Sequence, residues 1–131
     1  METLKISISQ NISLEHFEEI IVTALEGGSN YWYSLSPNDF EDNLEGKKEE
    51  PLSSRIAKTL YNDPKFQMKV YDVEEDNFEL GIVSQESMLK AIEIAYEKYN
   101  WVYEDLIQGN GDADTADALF QLATLGELVY G

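Results

Sequence analysis

The sequence predicts a single α+β domain over residues 1–131, with a mostly antiparallel sheet packed against three to four helices. Three observations predict it. Apolar and polar residues alternate at 3–9 and again across 65–83, the period of half-buried strands. Elsewhere apolar residues recur at three- and four-residue steps, the spacing of amphipathic helices. The 131-residue chain is 43% hydrophobic with eight tyrosines, enough for one ordinary core.

The elements follow in order. Leu4, Ile6 and Ile8 mark an N-terminal strand. Ser13 is placed to cap a helix carrying Leu14, Phe17, Ile20, Ile21, Ala24 and Leu25 on one stripe, with Glu15, Glu18 and Glu19 off it. The stretch ALEGGSNYWY then ends the helix, with Gly27 expected in the left-handed region. Residues 29–35 suit a strand, with Tyr31, Tyr33 and Leu35 on one face and Asn30, Trp32 and Ser34 on the other.

Residues 36–50 are turn-rich and charged and read as a surface loop. Pro51 opens a short helix through Tyr61 with Leu52, Ile56 and Leu60 inward, closed by Asn-Asp-Pro at 62–64. The hairpin at 65–83 alternates Phe66, Met68 and Val70, turns at 74–77, and resumes with Phe78, Leu80 and Ile82. Ser84 caps one long helix, about 85–107, through Met88, Leu89, Ile92, Ala95, Tyr96, Tyr99, Val102 and Leu106. Gln-Gly-Asn-Gly at 108–111 breaks it. Asp112 or Asp114 then caps a last helix with Ala116, Leu119, Phe120 and Ala123 inward. Gly126 stops that helix, and 127–130 could add a short terminal strand.

Charge is the strongest global feature: 26 acidic residues against nine basic ones, a net of −17. It is unevenly distributed. Residues 1–46 hold nine acids and one base, Lys5, whereas 47–98 hold eleven acids and eight bases. From Tyr99 onward there are six acids and no Lys or Arg. Such a chain is repelled by phosphate backbones and anionic membranes and is drawn to basic protein surfaces. Direct nucleic-acid binding and membrane association are therefore not expected. No apolar run approaches the roughly 18 residues of a membrane span. The start, METLKISISQN, lacks the basic and apolar regions of a secretory leader. The absence of cysteine excludes disulfides and thiolate chemistry and fits a cytoplasmic setting.

No catalytic constellation emerges. His16 is the sole histidine, sits among three glutamates, and has no G-x-S-x-G sequence to pair with. It reads as a solvated helix residue. NGDADTAD at 110–117 places Asp112 and Asp114 at calcium-loop spacing from Asn110, but Thr115 and Gln121 stand where a glycine and a bidentate glutamate are needed. Helix capping accounts for both aspartates. Gly27-Gly28 follows a helix end, where carbonyls dominate, so it is no phosphate cradle. The expectation is a non-enzyme without metal or cofactor.

ALEGGSNYWY near the start and DADTADALFQLATLGELVYG at the end together resemble a family of small proteins from tailed-phage and prophage genomes. The resemblance carries no activity and no residue roles. It implies a viral origin and the cytoplasm of an infected bacterium. Within that setting the charge favours an acidic inhibitor of a host defence or nucleic-acid-acting enzyme, of the anti-CRISPR or anti-restriction type. In such a mimic, carboxylates stand where phosphates would. The candidate contacts to a basic host protein are Asp39, Glu41, Asp42 and Glu45, then Glu74, Glu75 and Asp76, then Glu104, Asp105, Asp112, Asp114 and Asp117. The alternative is a sponge or sensor for a nucleotide signal, built on Gly27, Gly28, Asn30, Tyr31, Trp32 and Tyr33. A third reading is a homo-oligomeric accessory protein, dimerising through the tyrosine-rich helix at 85–107.

Overall fold

A computed structural model of the chain describes residues 11–75 and 77–131. The expected N-terminal strand lies outside the described residues. Ser13 caps helix α1 (Leu14–Thr23) by accepting the His16 N–H at 3.1 Å. Phe17, Ile20 and Ile21 form its buried stripe. The helix does not stop at Gly27. It widens into a π turn over Ala24–Gly28, and neither Gly27 nor Gly28 has positive φ. The dipeptide serves close approach instead: a β-carbon on Gly28 would sit 2.8 Å from the Ala113 carbonyl oxygen.

Residues 29–32 form a turn, and only Tyr33–Ser34 is a strand, β1. The expected strand over 29–35 is thus mostly absent, because Ser29 turns the backbone by accepting from the Trp32 and Tyr33 N–H groups. Residues 36–50 hold two short 3-10 turns, Pro37–Asp39 and Glu41–Asn43, with Phe40 and Leu44 buried beneath them. Helix α2 (Leu52–Asn62) pins this loop. Arg55, itself buried, donates from Nε to the Glu45 carbonyl at 3.0 Å and from Nη2 to the Leu44 carbonyl at 3.4 Å.

The hairpin's strands and turn fall where the sequence placed them, but the face of the second strand does not: Phe78 and Ile82, read as its apolar alternation, are exposed, and Val83 is buried. Strands β2 (Gln67–Asp72) and β3 (Glu79–Ser84) pair antiparallel, and β1 joins the other edge of β2, giving the order β1-β2-β3. A bulge between Val70 and Tyr71 sets Tyr71 opposite Glu79. Met68, Val70 and Val83 are fully buried, while Lys69 and Ile82 face outward. Ser84 ends β3 and caps α3 (Gln85–Lys98) in a reciprocal box with Ser87.

The expected long helix is two. Tyr99 leaves the helical region (φ −133, ψ 62), and α4 (Asn100–Gln108) starts afresh. Among the described residues five α-helices result in place of three or four. Helix α5 (Ala113–Leu125) is capped by Asp112 and ended by left-handed Gly126. It is central, with Thr115, Ala116 and every residue from Ala118 to Thr124 buried. The hairpin lies so close that a β-carbon on Gly81 would meet the Thr124 carbonyl at 2.1 Å. No strand forms at 127–130. Among the described residues, no helix is long and apolar enough to cross a membrane.

Candidate functional site

The two quoted sequence stretches meet in space, on Asp117. Its Oδ1 accepts from the Ser29 hydroxyl at 2.8 Å and from the Trp32 indole N–H at 2.7 Å. Its Oδ2 accepts from the Tyr31 hydroxyl at 2.5 Å and from the Gln121 amide at 3.1 Å. One carboxylate one turn into α5 therefore gathers the whole Ser29–Trp32 turn. Trp32 is only 2% exposed, tilted against Phe120 at 5.5 Å and stacked on Tyr130 at 5.3 Å. Tyr33 donates its hydroxyl to the Leu25 carbonyl and meets Phe120 edge-on at 5.3 Å.

This environment shifts both tyrosines. Desolvation of the hydroxyl, then the neighbouring Asp117 carboxylate, pushes the Tyr31 pKa up to about 12. Burial, then the charge of Glu26, does the same for Tyr33, also to about 12. Asn30 donates to the Glu26 carbonyl at 3.1 Å, and Gly27 is exposed. The aromatic corner is thus filled by the chain's own groups, and of its three rings Tyr31 is the one largely exposed, at 52%. A base stacking on Trp32 would first have to displace Tyr130.

The acidic candidates fall in three places. In the first loop Asp39 accepts from the Tyr71 hydroxyl at 3.3 Å and Glu45 from Asn62 at 3.0 Å, while Glu41 and Asp42 point to solvent. At the hairpin turn Asp72 orders the exposed Glu74 and Glu75 by accepting their N–H groups at 2.7 and 3.1 Å; Asp76 lies outside the described residues. Toward the end, Asp105 accepts the Thr115 hydroxyl at 2.9 Å, whereas Glu104 and Asp114 are exposed. The N–H and hydroxyl of Thr115 hold the Asp112 carboxyl below its usual range.

These groups are joined by how the chain packs. The loop at 109–113 runs beside α1. A β-carbon on Gly109 would sit 2.6 Å from His16 Nε2, and one on Gly111 would sit 2.3 Å from the Ile20 Cδ1 atom. His16 is therefore half-buried against Gly109 instead of solvated. Of two segments without a single Lys or Arg, 11–46 and 99–131, the parts that pack together are α1 and its π turn against α4 and α5; the loop at 36–46 sits instead over α2 and β2, with Asp39 beside Lys69 and Tyr71. All eight bases of the described residues come from 47–98. Of these, Arg55 is spent on the loop backbone, and Lys58–Glu50 at 2.7 Å is the sole ion pair among the described residues. The carboxylates are therefore not cancelled internally.

Gln121, Ser29, Tyr130, Asp72 and Arg55 have organising roles that sequence reasoning did not assign. The one available signal was Gln121, a polar residue inside the otherwise apolar run ALFQLA. No family model matches the chain, and no match emerges among curated proteins or solved structures.

Proposed function

We propose that this chain is a phage-encoded acidic binding protein that occupies the basic, nucleic-acid-binding surface of a host defence or nucleic-acid-acting enzyme and inhibits it. The observation that carries this reading is the packing together of the two base-free segments. The packed elements, α1 with its π turn, α4, and α5 with its cap, carry nine acidic residues, Glu15, Glu18, Glu19 and Glu26 from the first segment and Glu104, Asp105, Asp112, Asp114 and Asp117 from the second, and no Lys or Arg. Carboxylates there stand in for phosphates. Glu104 and Asp114 are free of the internal bonds that occupy Asp105, Asp112 and Asp117, so they are the first contacts offered to a partner. The partner is a protein, not nucleic acid, and the setting is the infected bacterium.

Long-range attraction of this kind accelerates encounter and is screened by salt. The test is affinity capture from bacterial lysate across a salt series, followed by activity assays on each captured enzyme. Nucleic-acid-acting enzymes should be retained and inhibited at low salt and released steeply as salt rises. Capture that is insensitive to salt, or that contains no such enzyme, overturns the reading.

A further inference from the structure

The face of Trp32 is covered by Tyr130 of the segment 128–130, and the manner of its seating describes a ligand. All three hydrogen bonds to this segment come from the side-chain amide of Gln121, which is 2% exposed. Its Oε1 accepts from the Val129 and Tyr130 N–H groups at 2.9 Å each, and its Nε2 donates to the Tyr130 carbonyl at 3.1 Å. These contacts touch only main-chain atoms, so they are blind to sequence. Selection comes from the side chains. Tyr130 lies on Trp32 with planes 13° apart and meets Tyr31 edge-on at 6.5 Å. Leu128 packs partly buried against the core, whereas Val129 between them is 55% exposed.

We infer that this is a peptide-binding slot for extended segments of the pattern apolar–any–aromatic, occupied in cis by the chain's own 128–130 and available to a competing segment of a partner protein. Cis occupancy is held by the Gln121 amide, the Tyr130 ring contacts and Leu128, not by a strand ladder, and it follows a left-handed glycine, Gly126, that has open space around it. Simple opening is disfavoured, because it would strand a buried amide and wet Trp32. Exchange for a segment that restores both is not. Asp117 and Asp114 lie beside Tyr31, the ring that Tyr130 meets edge-on, so the rim of the slot is acidic and disfavours a phosphorylated ring. The inference is independent of the acidic-interface reading.

The probe is a synthetic hexapeptide, Gly-Glu-Leu-Val-Tyr-Gly, titrated into a Tyr130→Ala, Trp101→Phe protein, in which Trp32 is the remaining tryptophan. The peptide should change Trp32 emission saturably. Replacing its tyrosine with alanine or phosphotyrosine should weaken binding at least tenfold, and replacing its valine should change little. Intact chain should bind at least tenfold more weakly than the opened variant. No binding, or equal binding of the alanine peptide, overturns the inference. Should the variant not fold, hydrogen exchange of the Val129 and Tyr130 amides in the intact protein supplies the answer. Faster exchange with excess peptide supports displacement, and unchanged exchange refutes it. A dimer of the intact protein that the peptide dissolves would reassign the occupant to a second copy of the chain, overturning the partner-protein form.

Discussion

Asp117 shows how much one residue can hold. Its four donors come from the turn at 29–32 and from α5 itself, and three of them are 85 to 88 residues away in the chain. Asp117→Ala would leave the Trp32 indole and the Ser29 hydroxyl buried without an acceptor. A loss of about 2–4 kcal/mol in urea unfolding is expected, against little change for Asp114→Ala. The tyrosines add a pH signature. Tyr31 and Tyr33 have folded pKa values raised to about 12 from an ordinary 10.0. Between those values the unfolded chain binds fewer protons than the folded one, so stability is complete below about pH 10 and falls as pH rises toward 12. Tyrosinate absorbance at 295 nm and urea midpoints followed together should show the loss, and Tyr33→Phe should reduce it. The cap role of Asp112 was legible from local spacing. Asp117 was not, because a hub is defined by partners that no sequence window contains.

At the scale of elements, the hairpin and α5 come into backbone contact. Gly81 lets β3 lie directly on the Thr124 backbone, and a β-carbon has nowhere to go. Gly81→Ala should cost about 1–3 kcal/mol or more in unfolding free energy, whereas Gly126→Ala should act only through its left-handed φ of 80° and cost less. The hairpin's position and helices α1, α2 and α5 were legible because their apolar spacing is marked and, for α1 and α5, the N-caps are local. The break at Tyr99 was hidden, since the three- and four-residue stripe runs through it and the Tyr96–Tyr103 ring pair, 4.9 Å apart, spans it. Residues 29–35 misled for a different reason. Adjacent aromatics satisfy strand propensity, but a long-range carboxylate with three donors to collect decides the backbone.

Across the whole molecule, the net −17 could be spread evenly as a hydration coat or concentrated where the bases are missing. The two arrangements differ in stability, without reference to any partner. Clustered like charges repel the compact state more than dispersed ones, and screening removes the difference. Two triple variants change the net charge equally. One neutralises Glu19, Glu104 and Asp114 in the base-free segments; the other neutralises Glu75, Glu86 and Glu93 in the mixed segment. All six are exposed, and each set loses one first-turn helix carboxylate, Asp114 or Glu86. At about 0.01 M salt, where the screening length is about 30 Å, the first variant should raise the urea midpoint clearly more than the second. At about 1 M salt, with screening near 3 Å, the two should converge. Equal gains at low salt would mean that Lys47, Lys58 and their neighbours compensate the field across the surface, and a basic partner would then find no preferred side of this molecule.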